Sequence, residues 1–232
     1  MMVGMGAVVL GGGAFLLMSG DGSIFDKPPT IGATEAPIVK ISQADFDSVL
    51  KVTPTKGRDD ARFTVIEFAD FQCPLCRKMF ATVCKDLGKK IDVKFGFVNY
   101  PLEEMHQYAL QASLTSQSAL EQGKFWEFYA AMFEDVDAVW TDLLVDECAT
   151  KAGLDLTKVK MYMSNDTNVK AVQALRDRVT SLGVGSTPSF WVHDKQSGKI
   201  VQVVGVELYK TLAEAPGMVK IDATKFETPP KS

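Results

Sequence analysis

An apolar run that leads into two cysteines, separated by only two residues, constrains this chain more than any other feature. Residues 63 to 80 read FTVIEFADFQCPLCRKMF, so a β-branched and aromatic segment passes through Cys73, Pro74, Leu75 and Cys76 into a mixed basic and apolar stretch. The segment 63–70 has the length and side chains of a central strand covered on both faces. Glu67 is its exception, sharing a face with Val65 and Ala69. A carboxyl pointing into covered space is held towards its neutral form, because burial disfavours charge. Beyond Cys73, Pro74 suits the first helical position, where its missing N–H costs nothing. Cys76, Met79, Phe80, Val83 and Leu87 then fall on one helical stripe, which Gly88 is expected to close beside Lys85, Lys89 and Lys90.

This spacing assigns different roles to the two thiols. Cys73 would stand at the helix start, where the unpaired N–H groups of Leu75 and Cys76 favour a thiolate, so it is the expected nucleophile. Cys76 lies one turn further on the buried stripe and is the expected resolving thiol. Arg77 and Lys78 add positive charge. Two other readings of the pair are half of a metal site and two buried core thiols. A structural zinc site needs a second close set of ligands, and Cys84, Cys148, His106 and His193 are scattered, so no metal is expected. His106 and His193 read as ordinary structural or surface residues.

Residues 92–98, DVKFGFV, alternate Val93, Phe95 and Phe97 on one face, which makes strand, helix and strand a βαβ unit with a right-handed crossover. The cysteine pair then sits beyond the carboxyl end of a strand, where open α/β sheets form their sites. From there to residue 189 the pattern is helical. Trp140, Leu143, Leu144 and Cys148 make one stripe and Val169, Val172, Leu175 and Val179 another, closed by Gly153 and Gly183. Phe125, Trp126, Phe128, Tyr129 and Phe133 have the spacing of core packing, with the lining of a substrate groove as the alternative. SFWVHDKQSGKIVQVV, 189–204, reads as a closing hairpin that turns at Gln196 to Gly198. Cys84 and Cys148 lie on apolar stripes as small hydrophobes, with a second disulfide between them as the alternative.

With 46% hydrophobic residues in 232, the chain can bury a sizeable core without staples. Its net charge of −4 and interspersed bases exclude a nucleic-acid binder. Residues 2–18, MVGMGAVVLGGGAFLLM, carry no charge and read as an export signal or an uncleaved membrane anchor. The Gly-, Pro- and Ser-containing stretch 19–40 reads as a tether. An extracytoplasmic domain sits where disulfides form and persist.

Residues 56–212 resemble the DsbA-type thiol:disulfide oxidoreductases of the thioredoxin superfamily. KGRDDARFTVIEFADFQCPLCRKMF resembles the first strand and active-site helix of that family, FVNYPLEEMHQYAL and ALEQGKFWEFYAAMF its helical insertion, and SLGVGSTPSFWV its cis-proline loop. The resemblance implies an α/β, thioredoxin-like fold with an inserted all-helical subdomain. Its expected parts are an anchor or signal at 1–18, a tether at 19–40, a thioredoxin-like domain at 41–100 and 184–220, a helical insertion at 101–183 and a tail at 221–232. It implies Cys73 and Cys76 as the redox-active disulfide, Glu67 as a buried acid, and Thr187 and Pro188 as the pair facing it, with Pro188 cis. Leu75 departs from the histidine found between the cysteines in strongly oxidising members. The expected activity is donation of the Cys73–Cys76 disulfide to exported thiol proteins by a monomer without cofactor, in the bacterial periplasm or on the outer face of the membrane. Reoxidation would fall to a quinone-linked membrane oxidase of the DsbB or vitamin K epoxide reductase-like kind. A reductase or isomerase of the same fold and a redox-inert binding module are the alternatives. Related isomerases carry a sizeable N-terminal dimerisation domain, for which the stretch before Phe63 is too short.

Overall fold

A computed structural model describes residues 41–84, 87, 93–135, 137–205, 207, 208 and 211, all in the unit Pro37–Ser232. The expected anchor, tether and C-terminal tail lie outside these residues. Among the described residues no helix is long and apolar enough to cross a membrane.

The chain opens with α1 (Gln43–Leu50), whose start is capped by the Ser42 hydroxyl accepting from the Asp45 N–H at 3.1 Å. A short β1 (Thr55–Lys56) and the central β2 (Phe63–Ala69) follow, then α2 (Pro74–Met79), a π-helical segment (Phe80–Cys84) and β3 (Val93–Asn99). Five helices come next: α3 (Ala109–Glu121), α4 (Phe125–Glu134), α5 (Leu144–Lys151), α6 (Leu156–Met163) and α7 (Asp166–Ser181). The chain then returns as a hairpin of β4 (Ser189–Asp194) and β5 (Lys199–Val204). The sheet runs β1-β3-β2-β4-β5, with β2 and β3 parallel and the other pairs antiparallel. This is the thioredoxin-like α/β fold that the sequence leads one to expect, with helices between β3 and β4.

Every residue of β2 is buried because the sheet has cover on both sides. On one face Phe63, Val65, Phe95 and Phe97 join Phe125, Phe128, Tyr129 and Phe133 of α4 and Val145 and Ala149 of α5. On the other, Ile66, Phe68, Val98 and Trp191 pack against Phe46 and Val49 of α1 and Val179 of α7. Alternation along the strand assigns Glu67 to the first of these faces, beneath α2 and α4.

Several local expectations need correction. The helix after Cys73 keeps α geometry only to Met79 and widens into a π turn through Cys84. The stripe through Trp140, Leu143, Leu144 and Cys148 holds in part, since Trp140 and Cys148 pack against the core. Helix α5 begins at Leu144 and buries Val145 and Ala149, while Leu143 is 63% exposed. The ends at Gly153 and Gly183 do form, with φ of +74° and +98°, a left-handed conformation that favours glycine.

Candidate functional site

Two features of the chain present Cys73. The strand β2 ends at Ala69, and the Asp70 carboxylate ties down the loop that follows. One Asp70 oxygen accepts from the Gln72 N–H at 2.8 Å, and the other takes the Leu102 N–H at 2.9 Å and His106 Nδ1 at 2.7 Å. Cys73 then takes the N-cap position of α2, extended at φ −66° and ψ 121°, with Pro74 next to it. Its backbone N–H donates to the Asp70 carbonyl at 3.1 Å, and its own carbonyl accepts from Arg77 N–H at 3.1 Å.

Cys73 is 6% exposed, and its sulfur sits 3.6 Å from the Thr187 carbonyl, across from the Thr187–Pro188 peptide, which is cis. The Cys73 thiol is lowered from 9.0 to about 6. The Cys76 thiol contributes most to this, as a donor to the Cys73 sulfur, and burial opposes it. The Thr187 side chain and the N–H groups of Cys76 and Leu75 lower it further. The Thr187 hydroxyl is buried and has no other partner among the described residues. Cys76 is fully buried and its thiol is pushed up, first by burial and then by the neighbouring Cys73. One sulfur is thus ready as a thiolate while the other holds its proton.

Glu67 lies beneath the pair with no solvent exposure. Its Oε2 accepts from the Tyr129 hydroxyl at 2.9 Å and its Oε1 from the Cys84 thiol at 3.7 Å. Burial raises the carboxyl from 4.5 to about 7, against the lowering effect of these two bonds and of the Lys56 charge. The Glu67 charge in turn raises the Cys76 thiol.

The structure therefore brings Cys73, Cys76, Glu67, Thr187 and Pro188 into one region and separates the other two cysteines. All four thiols are free. Cys84 donates to Glu67 and Cys148 to the Ala131 carbonyl at 3.5 Å, so in this structure the two thiols suggested for a second disulfide address different groups. Arg77, expected to add positive charge near the pair, is buried and donates to the carbonyls of Met132, at 3.1 Å, and of Asp135. Its guanidinium lies 5.5 Å from the Trp140 ring centroid. His106, read as ordinary, has Asp70 as a partner, and Tyr129 and Cys84 reach Glu67. None of these contacts has a spacing in sequence that announces it. Among the described residues, no cluster of three or more His, Cys, Asp or Glu could hold a metal.

Fold and site together define a thioredoxin-like protein with two unequal cysteines at a helix start. The thioredoxin family model matches residues 50–205, and the chain belongs to that family, which bears out the resemblance found in the sequence. Disulfide bond formation protein D of Bacillus subtilis is 30% identical over 157 residues, covering 63% of this chain and 70% of that protein. A thioredoxin-like oxidoreductase from Silicibacter pomeroyi has a solved structure that superposes with a TM-score of 0.59 at 26% identity, over 73% of this chain and 96% of that one. The Na(+)/H(+) antiporter NhaA 3 of Salinispora tropica is 28% identical over 160 residues, 67% of this chain. The chain matches only 24% of the length of that antiporter.

Proposed function

We propose that the protein is a thiol:disulfide oxidoreductase that donates its Cys73–Cys76 disulfide to exported proteins. The observation that carries this reading is the inequality of the two thiols, with Cys73 lowered to about 6 and Cys76 pushed well up. A stabilised Cys73 thiolate favours the reduced form of the pair, and that makes the oxidised form a better donor. The name of the Bacillus relative, a disulfide bond formation protein, supports the same direction.

In the proposed reaction a substrate thiolate attacks Cys73, the Cys73–Cys76 bond breaks, and a substrate–Cys73 disulfide forms. Cys76 leaves as a thiolate and takes a proton from Glu67. A second substrate thiolate attacks the substrate sulfur of the mixed disulfide and releases Cys73 as a thiolate. The substrate is oxidised by two electrons, and the enzyme holds them as the dithiol. A quinone-linked membrane oxidase would restore the disulfide. The substrate would approach beside Pro74, where a cavity of about 320 Å³ is lined by Gln72, Arg77, His106 and Trp140. Residues 101–183 are inferred to act as a helical insertion that frames this approach, and 1–40 as the anchor and tether that hold the domain outside the cytoplasm.

Measuring the reduction potential against glutathione tests the direction. A potential well above that of the glutathione pool supports donation, and one well below it supports a reductase. Rapid alkylation of Cys73 ahead of the other three cysteines, at mildly acidic pH after reduction, is the expected companion result. Equal labelling of Cys76 would overturn the assignment of roles.

A further inference from the structure

Glu67 is held from two directions by groups that the proposed chemistry does not consume. Its carboxyl stands on β2, Tyr129 comes from the middle of α4, and Cys84 comes from the last residue of the π-helical segment that continues the active-site helix. Each side chain addresses a different oxygen, Tyr129 at 2.9 Å and Cys84 at 3.7 Å, the latter within reach for a sulfur donor. Both residues are essentially inaccessible to solvent. The Tyr129 ring is fixed edge-on against Phe97 and Phe133, each 5.0 Å away between centroids, and against Trp126 at 5.2 Å. Its hydroxyl has little freedom to leave the carboxylate.

We propose that Tyr129 and Cys84 are positioning residues for disulfide exchange, holding the two oxygens of Glu67 so that this buried acid can give up and recover the proton of Cys76. The inference rests on the reading of Glu67 as the proton partner of Cys76. An ionised carboxylate with no partners in an apolar interior is costly, and two donors offset that cost. Neither donor competes for the role of acid. Burial first, and then the charge of Glu67, push the Tyr129 hydroxyl and the Cys84 thiol well up, so both keep their protons while Glu67 exchanges its own. Lys56 from β1, Cys73 at the start of α2 and Cys76 within it also interact with Glu67. Lys56 donates to the Cys84 carbonyl at 3.4 Å and lies 5.6 Å from the Tyr129 ring centroid, so its charge helps the carboxylate from the far side of the same pair.

The proton balance follows the sulfur chemistry. When the Cys73–Cys76 bond breaks, the neutral Glu67 gives its proton to the Cys76 thiolate and becomes a carboxylate that accepts from Tyr129 and Cys84. When Cys76 attacks a mixed disulfide on Cys73, the carboxylate takes the proton back and the leaving thiolate departs. No electron passes through Glu67 or its two donors.

The test mixes reduced protein with glutathione disulfide and follows the second, intramolecular phase, in which Cys76 releases glutathione from Cys73, across pH. In parallel, carbon-13 NMR follows the titration of the labelled Glu67 carboxyl. Tyr129→Phe is expected to raise the Glu67 midpoint and the midpoint of the kinetic phase together by about one unit, slowing that phase about fivefold at neutral pH. Cys84→Ala is expected to shift both in the same direction by less, and Cys84→Ser, which keeps a donor, to restore them. Loosened packing alone would slow the phase at every pH and leave its midpoint in place. A Glu67 midpoint unchanged in both Tyr129→Phe and Cys84→Ala overturns the proposal, and either variant decides it if the other does not fold. Glu67→Gln separates the two readings. If it leaves the kinetic phase and its pH dependence intact while Tyr129→Phe still moves the Glu67 titration, the proton-transfer role of Glu67 fails and the hold on its carboxyl stands.

Discussion

Thr187 shows how a single hydroxyl can be poorly placed for stability and well placed to favour the Cys73 thiolate. Buried without another partner among the described residues, it costs the folded protein part of its stability until the Cys73 thiolate is there to accept from it. Thr187→Val should raise the Cys73 thiol towards its ordinary value and make the protein less oxidising. It should also stabilise the oxidised form by about 1 kcal/mol, because that form has no thiolate for the hydroxyl to serve. Thiolate absorbance against pH and urea unfolding of the oxidised protein measure the two effects, and an unchanged Cys73 value or an oxidised form that loses stability would refute the account. Leu75, 60% exposed between the cysteines, offers the opposite change. In Leu75→His a protonated imidazole would favour the thiolate, and each unit of lowering is worth about 1.4 kcal/mol, or about 30 mV upward for this two-electron couple. That conversion holds while the Cys73 value lies below the assay pH. An unchanged or more negative potential, with a lowered Cys73 thiol confirmed, would break the link between thiolate stability and oxidising power.

At the scale of elements, Arg77 ties α2 to the carboxyl end of α4 by donating to Met132 and Asp135. A lysine cannot present the same fork of donors, so Arg77→Lys should cost about 1–2 kcal/mol in urea unfolding. No loss would show that the tie contributes little. Helix α4 and the π segment also keep Cys84 and Cys148 on different partners, so protein with the active pair oxidised should retain two free thiols by mass spectrometry. Much of this was legible in the sequence wherever the signal is local. The apolar, β-branched run 63–70, the proline after Cys73, the alternating run 92–98 and the hairpin pattern 189–204 announce β2, α2, β3 and the hairpin from neighbours alone. The phase of α5 was legible only in part, because which side of residues 140–151 turns inward is set by α4 and by the Trp140 ring lying over Arg77. The partners of the site were not legible either. Asp70 meets His106 across 36 positions and Glu67 meets Tyr129 across 62, and no periodicity within one element connects such residues.

For the molecule as a whole, a sheet covered on both faces makes Glu67 a point where the proposed proton transfer and stability pull apart. Its folded value of about 7 lies above the ordinary 4.5. The unfolded chain therefore releases this proton at lower pH than the folded one, and stability is lost as pH rises from about 4.5 through 7. The window of about 2.5 units corresponds to roughly 3 kcal/mol. Cys73 acts with the other sign in the reduced protein. Its folded value of about 6 lies below the ordinary 9.0, so its contribution is fully present above 9 and disappears as pH falls through 6. Reduced protein should then be least stable near pH 6 to 7, between an acid side where Glu67 is neutral and a basic side where the folded thiolate is favoured. Subtracting the Glu67→Gln stability curve from that of the unsubstituted protein removes what the two share and leaves the carboxyl together with its coupling to Cys73. The difference should favour the glutamine variant increasingly from pH 4.5 to 7 and level off above it. Urea midpoints and slopes at five or six pH values would measure this, and parallel curves for the two proteins would mean that the carboxyl under the disulfide ionises as readily in the folded chain as in the unfolded one.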